Sequence, residues 1–190
     1  MANRINRLTN SRNVIDYAAG CIDLHNHDGL DTAFRIGAQA GFNGTDNAVP
    51  NGFLNISAIT GGAANDSLTG LNAASTWEID GTNAYTTASR TLEFSSFETL
   101  VGGSGADVFT FSGAQALSAS ANAGSDNFIF NDGATLTGAI DAGSDDDTLD
   151  FSLYTNPCQL TLTALGPIDG FSGAASGISQ TFDNIETILG

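Results

Sequence analysis

Three consecutive stretches of the chain share one pattern, and this pattern limits the fold more than any other feature. Each stretch begins with an aspartate, continues as a short run of alternating apolar residues, and then turns into a second such run. Alternating apolar residues between frequent turns predict β-strands. The leading residues are Asp107, Asp126 and Asp147, so the pattern recurs after 19 and then 21 residues.

A steady coil length, with an aspartate at the same place in every coil, favours a solenoid over a sandwich. Successive coils of a parallel β-solenoid stack about 4.8 Å apart, so equivalent residues form columns along the stack. A β-sandwich also has alternating strands, but nothing in it requires a constant coil length. The sequence therefore predicts an all-β fold, namely a right-handed parallel β-solenoid (a β-helix or β-roll) with coils of about 20 residues.

A longer internal repeat is also present. The segments FLNISAITG (53–61), FSSFETLVG (94–102) and FDNIETILG (182–190) align without gaps. We call the spacing between the first and the third of them, from position 53 to position 182, the long offset. The long offset also relates GFNG (41–44) to GFSG (170–173). Self-similarity of this kind is typical of repeat architectures.

This repeat defines the predicted domain organisation. We expect a single β-solenoid domain over residues 14–190. Within it, residues 61–189 form one full repeat unit, and residues 14–60 form a partial copy of the last third of that unit. Residues 1–13 hold three of the five arginines and no acid, so we expect a basic N-terminal segment that serves as a cap or an assembly arm.

The turns that precede the aspartates carry a glycine-rich motif. The segment GGSGADVFT (102–110) matches G-G-x-G-x-D-x-U-x, where U is a large apolar residue, at every defined position. The segment GGAANDSLT (61–69) departs from the motif only at the third glycine, whereas ANAGSDNFI (121–129) and AGSDDDTLD (142–150) keep the aspartate and fewer glycines. These segments resemble the repeats of the repeats-in-toxin (RTX) family of secreted proteins. Residues 14–190 resemble the long degenerate repeats of bacterial surface adhesins and matrix proteins.

The resemblance implies calcium binding at these turns. Calcium takes about six to eight oxygen ligands, so it needs carboxylates together with exposed main-chain carbonyls. Carried over by motif position, the resemblance implies that the side chain of Asp107 and the carbonyls of Gly102 and Ser104 are ligands. At the earlier turn it implies Asp66 and Gly61.

A single turn supplies only half of such a site, and the equivalent turn of the neighbouring coil supplies the rest. The steps of 19 and 21 residues would bring Asp107, Asp126 and Asp147 into one column, which adds Asp126 and Asp147 to the predicted metal ligands. The alternative is a set of tight turns with solvated aspartates and no ion. A column of carboxylates without a cation is unfavourable, because like charges repel.

The charge of the chain limits its partners. Twenty-one acidic residues face five basic ones, and the formal net charge is −16. Nucleic acid and anionic membranes would repel such a chain, whereas cations would bind to it. No apolar run of about 18 residues is present, so we expect no membrane insertion. The N-terminus lacks the apolar core of a secretory signal, so export would use a route without a cleaved N-terminal signal.

These features lead to an expected function. We expect a secreted structural or adhesive protein of a bacterial surface or matrix, stabilised by calcium, that polymerises head to tail into fibres when its basic N-terminal segment binds the open last coil of the next subunit. The alternative is a calcium-binding spacer or polysaccharide-binding module of a larger adhesin or secreted enzyme. We expect no enzymatic activity, because acidic pairs such as Glu78 and Asp80 arise by chance in so acidic a chain.

Overall fold

The structure is a computed structural model. It describes the backbone of residues 8–10, 13–18, 21–26, 32–38, 42–46 and 49–190, and the side chains of residues 42–45 and 56–190. The basic segment predicted at residues 1–13 lies largely outside the described residues. Every regular element in the described part of the chain is a β-strand, which confirms the predicted all-β class. None of the described residues forms a helix long and apolar enough to span a lipid bilayer.

The described strands form two large sheets and one small sheet. Sheet A contains β1 (Leu8–Asn10), β2 (Asn13–Ala18), β3 (Cys21–Asn26), β7 (Ala58–Thr60), β9 (Ser75–Ile79), β10 (Ala84–Thr87), β11 (Arg90–Ser95), β13 (Asp107–Phe111), β16 (Asn127–Phe130), β19 (Thr148–Asp150) and β23 (Thr187–Leu189). Sheet B contains β4 (Thr32–Ala38), β5 (Phe42–Asp46), β6 (Val49–Ile56), β8 (Asp66–Thr69), β12 (Thr99–Val101), β15 (Ser118–Ser120), β18 (Ile140–Asp141), β20 (Leu160–Leu165), β21 (Phe171–Ala175) and β22 (Phe182–Ile185). The small sheet pairs β14 (Ala114–Gln115) with β17 (Thr135–Leu136).

The chain passes back and forth between sheets A and B, and like strands stack in parallel. In sheet A, β9, β13, β16, β19 and β23 pair in this order, all in parallel. In sheet B, β4, β8, β12, β15, β18 and β22 do the same. Residues about 20 apart in the chain are therefore direct neighbours in these ladders, as Phe109 is of Phe128 and Phe128 of Leu149.

Antiparallel hairpins are also part of both sheets. The sequence predicted purely parallel sheets, but the sheets are mixed. The hairpin of β10 and β11 is inserted between β7 and β9, and β5 with β6 and β20 with β21 extend sheet B. The β10–β11 turn uses Ala88 and Ser89, whose φ angles are 48° and 64°. Such left-handed pairs are what a two-residue hairpin requires, but they are usually Asn-Gly or Asp-Gly. The sequence therefore lacked the signal that predicts a hairpin.

The core lies between sheets A and B and is built from stacked aromatic rings. Trp77, Phe109 and Phe128 occupy the same position of three successive strands of sheet A. The rings of Trp77 and Phe109 lie 5.5 Å apart and 7° from parallel, and those of Phe109 and Phe128 lie 5.1 Å apart and 8° from parallel. All three side chains are fully buried. The alternating apolar residues thus form columns that follow the stacking of the coils.

Strand pairing repeats at the long offset. The antiparallel strands β4, β5 and β6 lead into β7, and β20, β21 and β22 lead into β23 in the same order. The register of β20 with β21 is shifted by two to three residues from that of β4 with β5. We call residues 32–60 the N-terminal unit and residues 160–189 the C-terminal unit. The equivalent pairs are Phe42↔Ile56 and Gly44↔Phe53 in the first, and Phe171↔Ile185 and Gly173↔Phe182 in the second.

The three aligned nine-residue segments do not all end in the same sheet. Residues 53–61 and 182–190 end in β7 and β23 of sheet A, whereas residues 94–102 end in β12 of sheet B. The long offset therefore preserves the sheet, and the shorter offset from position 53 to position 94 changes it.

Phe109→Ala should destabilise the protein by about 3 to 5 kcal/mol, because it removes the central ring of a closed stack and leaves a cavity. Urea unfolding monitored by circular dichroism measures the loss. Phe171→Ala is the matched control, because the Phe171 side chain is already exposed and its removal should cost less than about 1 kcal/mol. Equal losses for the two variants would contradict this account of the core.

Candidate functional site

The predicted column of aspartates is present at the turns that lead from sheet B into sheet A. Asp107 is the first residue of β13, and Asp126 and Asp147 directly precede β16 and β19 of the same sheet. All three side chains are buried. Ser75 precedes them at one end of the stack, and Glu186 follows at the other. We call Asp107, Asp126, Asp147 and Glu186 the acidic column.

Main-chain N–H groups connect the members of this column. The N–H of Asp107 donates to Oδ1 of Asp126 at 2.6 Å, and that of Asp126 donates to Oδ1 of Asp147 at 2.8 Å. The N–H of Asp147 donates to Oε2 of Glu186 at 2.7 Å. At the other end the hydroxyl of Ser75 donates to Oδ1 of Asp107 at 2.6 Å. The stacking predicted from the spacing of the aspartates is confirmed.

In the turn that matches the motif at every defined position, both oxygens of the Asp107 carboxylate have hydrogen-bond partners. The N–H of Gly103 donates to Oδ2 of Asp107 at 2.8 Å, so both carboxylate oxygens accept hydrogen bonds. A Cβ at Gly102 would lie 2.6 Å from Oδ2 of Asp107 and 2.7 Å from the carbonyl oxygen of Ala121. The first glycine of the motif is therefore required because the carboxylate lies directly against it.

The degraded turns leave one carboxylate oxygen without a partner. Ala121 and Ala142 stand where the complete motif has its first glycine. Oδ2 of Asp126 and Oδ2 of Asp147 are both excluded from solvent and accept no hydrogen bond. A buried carboxylate oxygen without a partner is costly, because it has lost its hydration. These two positions can therefore bind a proton or a cation.

Gly102 and Ser104 were also predicted as ligands but are not members of the acidic column. The carbonyl oxygen of Gly102 already accepts a hydrogen bond from Nδ2 of Asn122 at 2.8 Å. The Ser104 residue is exposed in the same turn. Gly102, Ser104 and Asp107 lie in one turn, and the carbonyl of Gly102 and the carboxylate of Asp107 already accept hydrogen bonds.

Asp66 and Gly61 lie at the opposite edge of the fold. Their turn leads from β7 in sheet A to β8 in sheet B, whereas the acidic column lies where the chain passes from B to A. The local geometry is the same, because the N–H of Gly62 donates to Oδ2 of Asp66. The N–H of Asp66 in turn donates to Oε2 of Glu98 at 2.9 Å. The structure therefore does not bring Asp66 and Gly61 to the other predicted ligands.

Two acidic residues that sequence reasoning missed complete the end of the acidic column. Glu186 accepts a hydrogen bond from the N–H of Asp147, and Asp169, in the loop 166–170, lies beside Glu186. The loop is held by the N–H of Ile168, which donates to Oδ1 of Asn184 at 2.9 Å. Oε1 of Glu186 and Oδ1 of Asp169 are excluded from solvent and have no hydrogen-bond partner. One signal in the sequence could have identified Glu186, namely the Glu-Thr pair that residues 98–99 and 186–187 share. Glu98 accepts a hydrogen bond from the N–H of Asp66, as Glu186 does from the N–H of Asp147.

Burial raises the pKa values throughout the column. The pKa of Asp126 rises from 3.8 to about 8, mainly through desolvation and secondly through the charges of Asp147 and Asp107. The pKa of Asp147 rises from 3.8 to about 7, again mainly through desolvation, with the charge of Glu186 as the next unfavourable contribution. Desolvation also raises the pKa of Asp107 and of Glu186. Near neutral pH the column therefore holds protons unless a cation replaces them.

The residues of the acidic column differ in the number of free carboxylate oxygens that they offer to a cation. Asp126, Asp147 and Glu186 each offer one free, buried oxygen, whereas Asp107 offers none. Among the residues that the structure describes, no three His, Cys, Asp or Glu side chains form a ready-made metal cluster. A calcium ion here would need main-chain carbonyls or water as its remaining ligands, which is common for this ion.

Comparison with known proteins adds no identity to this geometry. No protein family matches the chain, and no curated protein matches it significantly. Function must therefore be inferred from the acidic column and from the parallel strand ladders of sheets A and B.

In the absence of a bound cation, the melting temperature should fall as the pH rises from about 4 to about 8. Over this range the native state binds more protons than the unfolded state, because Asp126 and Asp147 titrate near pH 8 and pH 7 in the native state against 3.8 ordinarily. The free energy of unfolding decreases with pH wherever the native state holds the extra protons. Thermal unfolding in chelator at pH 5, 6.5 and 8 measures this slope.

Asp126→Asn should flatten that slope. The amide stays neutral, and its oxygen still accepts the N–H of Asp107. We expect little change at pH 5 and a higher melting temperature at pH 8, where about 1 kcal/mol corresponds to about 2 to 4 °C in a chain of this size. Asp80→Asn, in the exposed turn before β10, is the control. A slope that is the same in both variants would contradict this role of Asp126.

Proposed function

We propose that the protein is a calcium-stabilised structural or adhesive component of an extracellular surface or matrix. In this proposal its fold is a right-handed parallel β-solenoid, in which the antiparallel hairpins are insertions into successive coils. The parallel strand ladders of sheets A and B support the solenoid, because both follow the order of the coils. A stack of this kind is stabilised mainly between neighbouring coils and presents long regular surfaces.

The observation that carries the calcium proposal is the set of free, buried carboxylate oxygens in the acidic column. Oδ2 of Asp126, Oδ2 of Asp147 and Oε1 of Glu186 have no hydrogen-bond partner. No arginine takes part in the described contacts of this column. In a chain with a net charge of −16, a divalent cation is the partner that compensates these charges without lowering the pH.

We place the proposed ion between two neighbouring members of the acidic column, Asp126 with Asp147 or Asp147 with Glu186, because Asp126 and Glu186 lie two strand spacings apart, about 10 Å, which is more than one calcium ion spans. It would supply positive charge to carboxylates that otherwise have to be protonated. The ligands that the RTX resemblance implies at Asp107, Gly102 and Ser104, and at Asp66 and Gly61, remain predictions. An ion at Asp107 would have to displace the hydrogen bonds from Ser75 and Gly103.

Calcium binding of this kind couples the folding of the chain to its surroundings. A ligand that binds only the native state stabilises it in proportion to the logarithm of its free concentration. Extracellular calcium modules bind with dissociation constants of about 0.1 to 1 mM. The chain would therefore be weakly stable at low calcium and rigid outside the cell, which suits a secreted structural protein.

A calcium-stiffened spacer within a longer protein is the second candidate. The observation that favours it is the register of β5 with β6, which recurs in β21 with β22 at the long offset. Repeated pairing of this kind is typical of units that are joined in tandem.

Calcium should raise the melting temperature at pH 8. We expect no comparable effect of magnesium at equal concentration, because magnesium requires near-ideal octahedral geometry. The measurement is thermal unfolding by circular dichroism in chelator and at 0.1, 1 and 10 mM of each ion, together with elemental analysis of the protein for bound calcium. Strand content and melting temperature that are the same in chelator and in 10 mM calcium would refute the proposal.

Asp147→Asn should weaken the calcium effect at least tenfold in midpoint concentration, because it removes a free ligand oxygen and a charge. Asp80→Asn, which lies in an exposed turn away from the acidic column, should leave the midpoint unchanged. A calcium response that is equal in both variants would place the ion elsewhere.

A further inference from the structure

We infer that the first residue of an acidic turn decides whether that turn binds an ion, and that the methyl group of Ala142 keeps the carboxylate of Asp147 free for one. This inference rests on the proposed function for the identity of the ion, and it names the residue that controls the ion site. Its structural basis is the backbone conformation of the turns, which does not depend on which ion binds.

Four described turns of equal length end in an aspartate, and they have two backbone conformations. None of the residues in the turns 61–66 and 102–107 has a left-handed φ. In the turns 121–126 and 142–147 the second and the fourth residues are both left-handed, namely Asn122 at 75°, Gly124 at 113°, Gly143 at 106° and Asp145 at 86°. We call the first two the closed turns and the other two the open turns.

The hydrogen bonding of the carboxylate follows the conformation of the turn. In both closed turns the main-chain N–H of the second residue donates to Oδ2 of the aspartate, from Gly62 to Asp66 and from Gly103 to Asp107. In the open turns the same carboxylate oxygen accepts no hydrogen bond. A change in the sign of φ at the second residue rotates the peptide group before it, so its N–H no longer reaches the carboxylate.

The first residue of the turn separates the two groups. Both closed turns begin with glycine, whereas the open turns begin with Ala121 and Ala142. A Cβ on the first glycine would lie 2.8 Å from Oδ2 of Asp66 in one closed turn and 2.6 Å from Oδ2 of Asp107 in the other. Atoms that are not bonded to each other do not approach so closely in a packed interior. A methyl group at this position therefore excludes the carboxylate from the place that it has in the closed turns.

The two open turns differ in how firmly the second residue is held. In the turn 121–126, Nδ2 of Asn122 donates to the carbonyl oxygen of Gly102 at 2.8 Å. The turn 142–147 has Gly143 at this position, which has no side chain and adopts either sign of φ at little cost. A change at the first residue can therefore convert the turn 142–147 to the closed conformation.

The open conformation of the turn 142–147 is unfavourable without an ion. Asp145 has a left-handed φ, which costs free energy in a residue with a side chain. Asp147 is 0% exposed, and its Oδ2 has no hydrogen-bond partner. Closure would remove the left-handed φ and supply the missing hydrogen bond, so the methyl group of Ala142 is what opposes it. In the open conformation a cation supplies the missing partner of Oδ2 instead.

Ala142→Gly in the full chain tests the inference. We expect the turn to close, with the N–H of Gly143 donating to Oδ2 of Asp147. Amide hydrogen exchange of Gly143, measured by NMR in chelator at pH 8, should then slow by about tenfold or more. The calcium concentration at the midpoint of the rise in melting temperature should increase about tenfold, because calcium must first break a hydrogen bond to a charged group.

Ala106→Gly is the matched control. It makes the same substitution at an exposed position of a turn that is already closed. It should change neither the exchange rate of Gly143 nor the calcium midpoint.

The outcomes separate this inference from the proposed function. An Ala142→Gly variant with the wild-type exchange rate at Gly143 would overturn the inference, and so would slowed exchange with an unchanged calcium midpoint. Slowed exchange in the variant, together with a wild type that does not respond to calcium, would contradict the proposed function but support the control of the turn by Ala142.

The wild type provides a second measurement that does not require the variant to fold. In chelator the amide of Gly103, which donates to Asp107, should exchange at least about tenfold more slowly than the amide of Gly143. Equal exchange rates at the two glycines would overturn the inference.

Discussion

The structure depends on a hydrogen bond that recurs from strand to strand along sheet A, in which the main-chain N–H of one acidic turn donates to the carboxylate of the next. Asp107, Asp126, Asp147 and Glu186 are joined in this way at four successive strands of sheet A. Each bond satisfies the N–H of an acidic residue and at the same time fixes the register of two neighbouring strands. Because this donor belongs to the backbone, any residue that places a carboxylate at the right height can take part, which explains how Glu186 replaces an aspartate.

The same arrangement leaves buried carboxylate oxygens without a hydrogen-bond partner. The motif with two glycines closes around its carboxylate through the N–H of Gly103, whereas Ala121 and Ala142 accompany carboxylates that keep an unpartnered oxygen. Loss of a glycine thus turns a self-contained turn into one that needs a proton or a cation. In this chain the turns that look most degraded in sequence are the ones with the strongest physical reason to bind an ion.

The sequence predicted those features that depend on spacing. The column of Asp107, Asp126 and Asp147 follows from steps close to one coil length, and the stacked rings of Phe109 and Phe128 follow from the same alignment. The hairpin at Ala88 and Ser89 could not be predicted, because neither residue signals a left-handed turn. Asp169 was missed since it reaches the column through a loop that is held by Asn184, a contact between residues distant from any motif. The position of Asp66 at the opposite edge was missed because the motif is the same at both edges.

The likeness of these two turns means that the turn motif itself does not encode the direction of crossing. The turns before β8 and before β13 are built alike, although one crosses from sheet A to sheet B and the other crosses back. The same nine-residue pattern likewise ends in sheet A at residues 53–61 and in sheet B at residues 94–102. Which sheet a strand joins is therefore set by the segments before and after the turn.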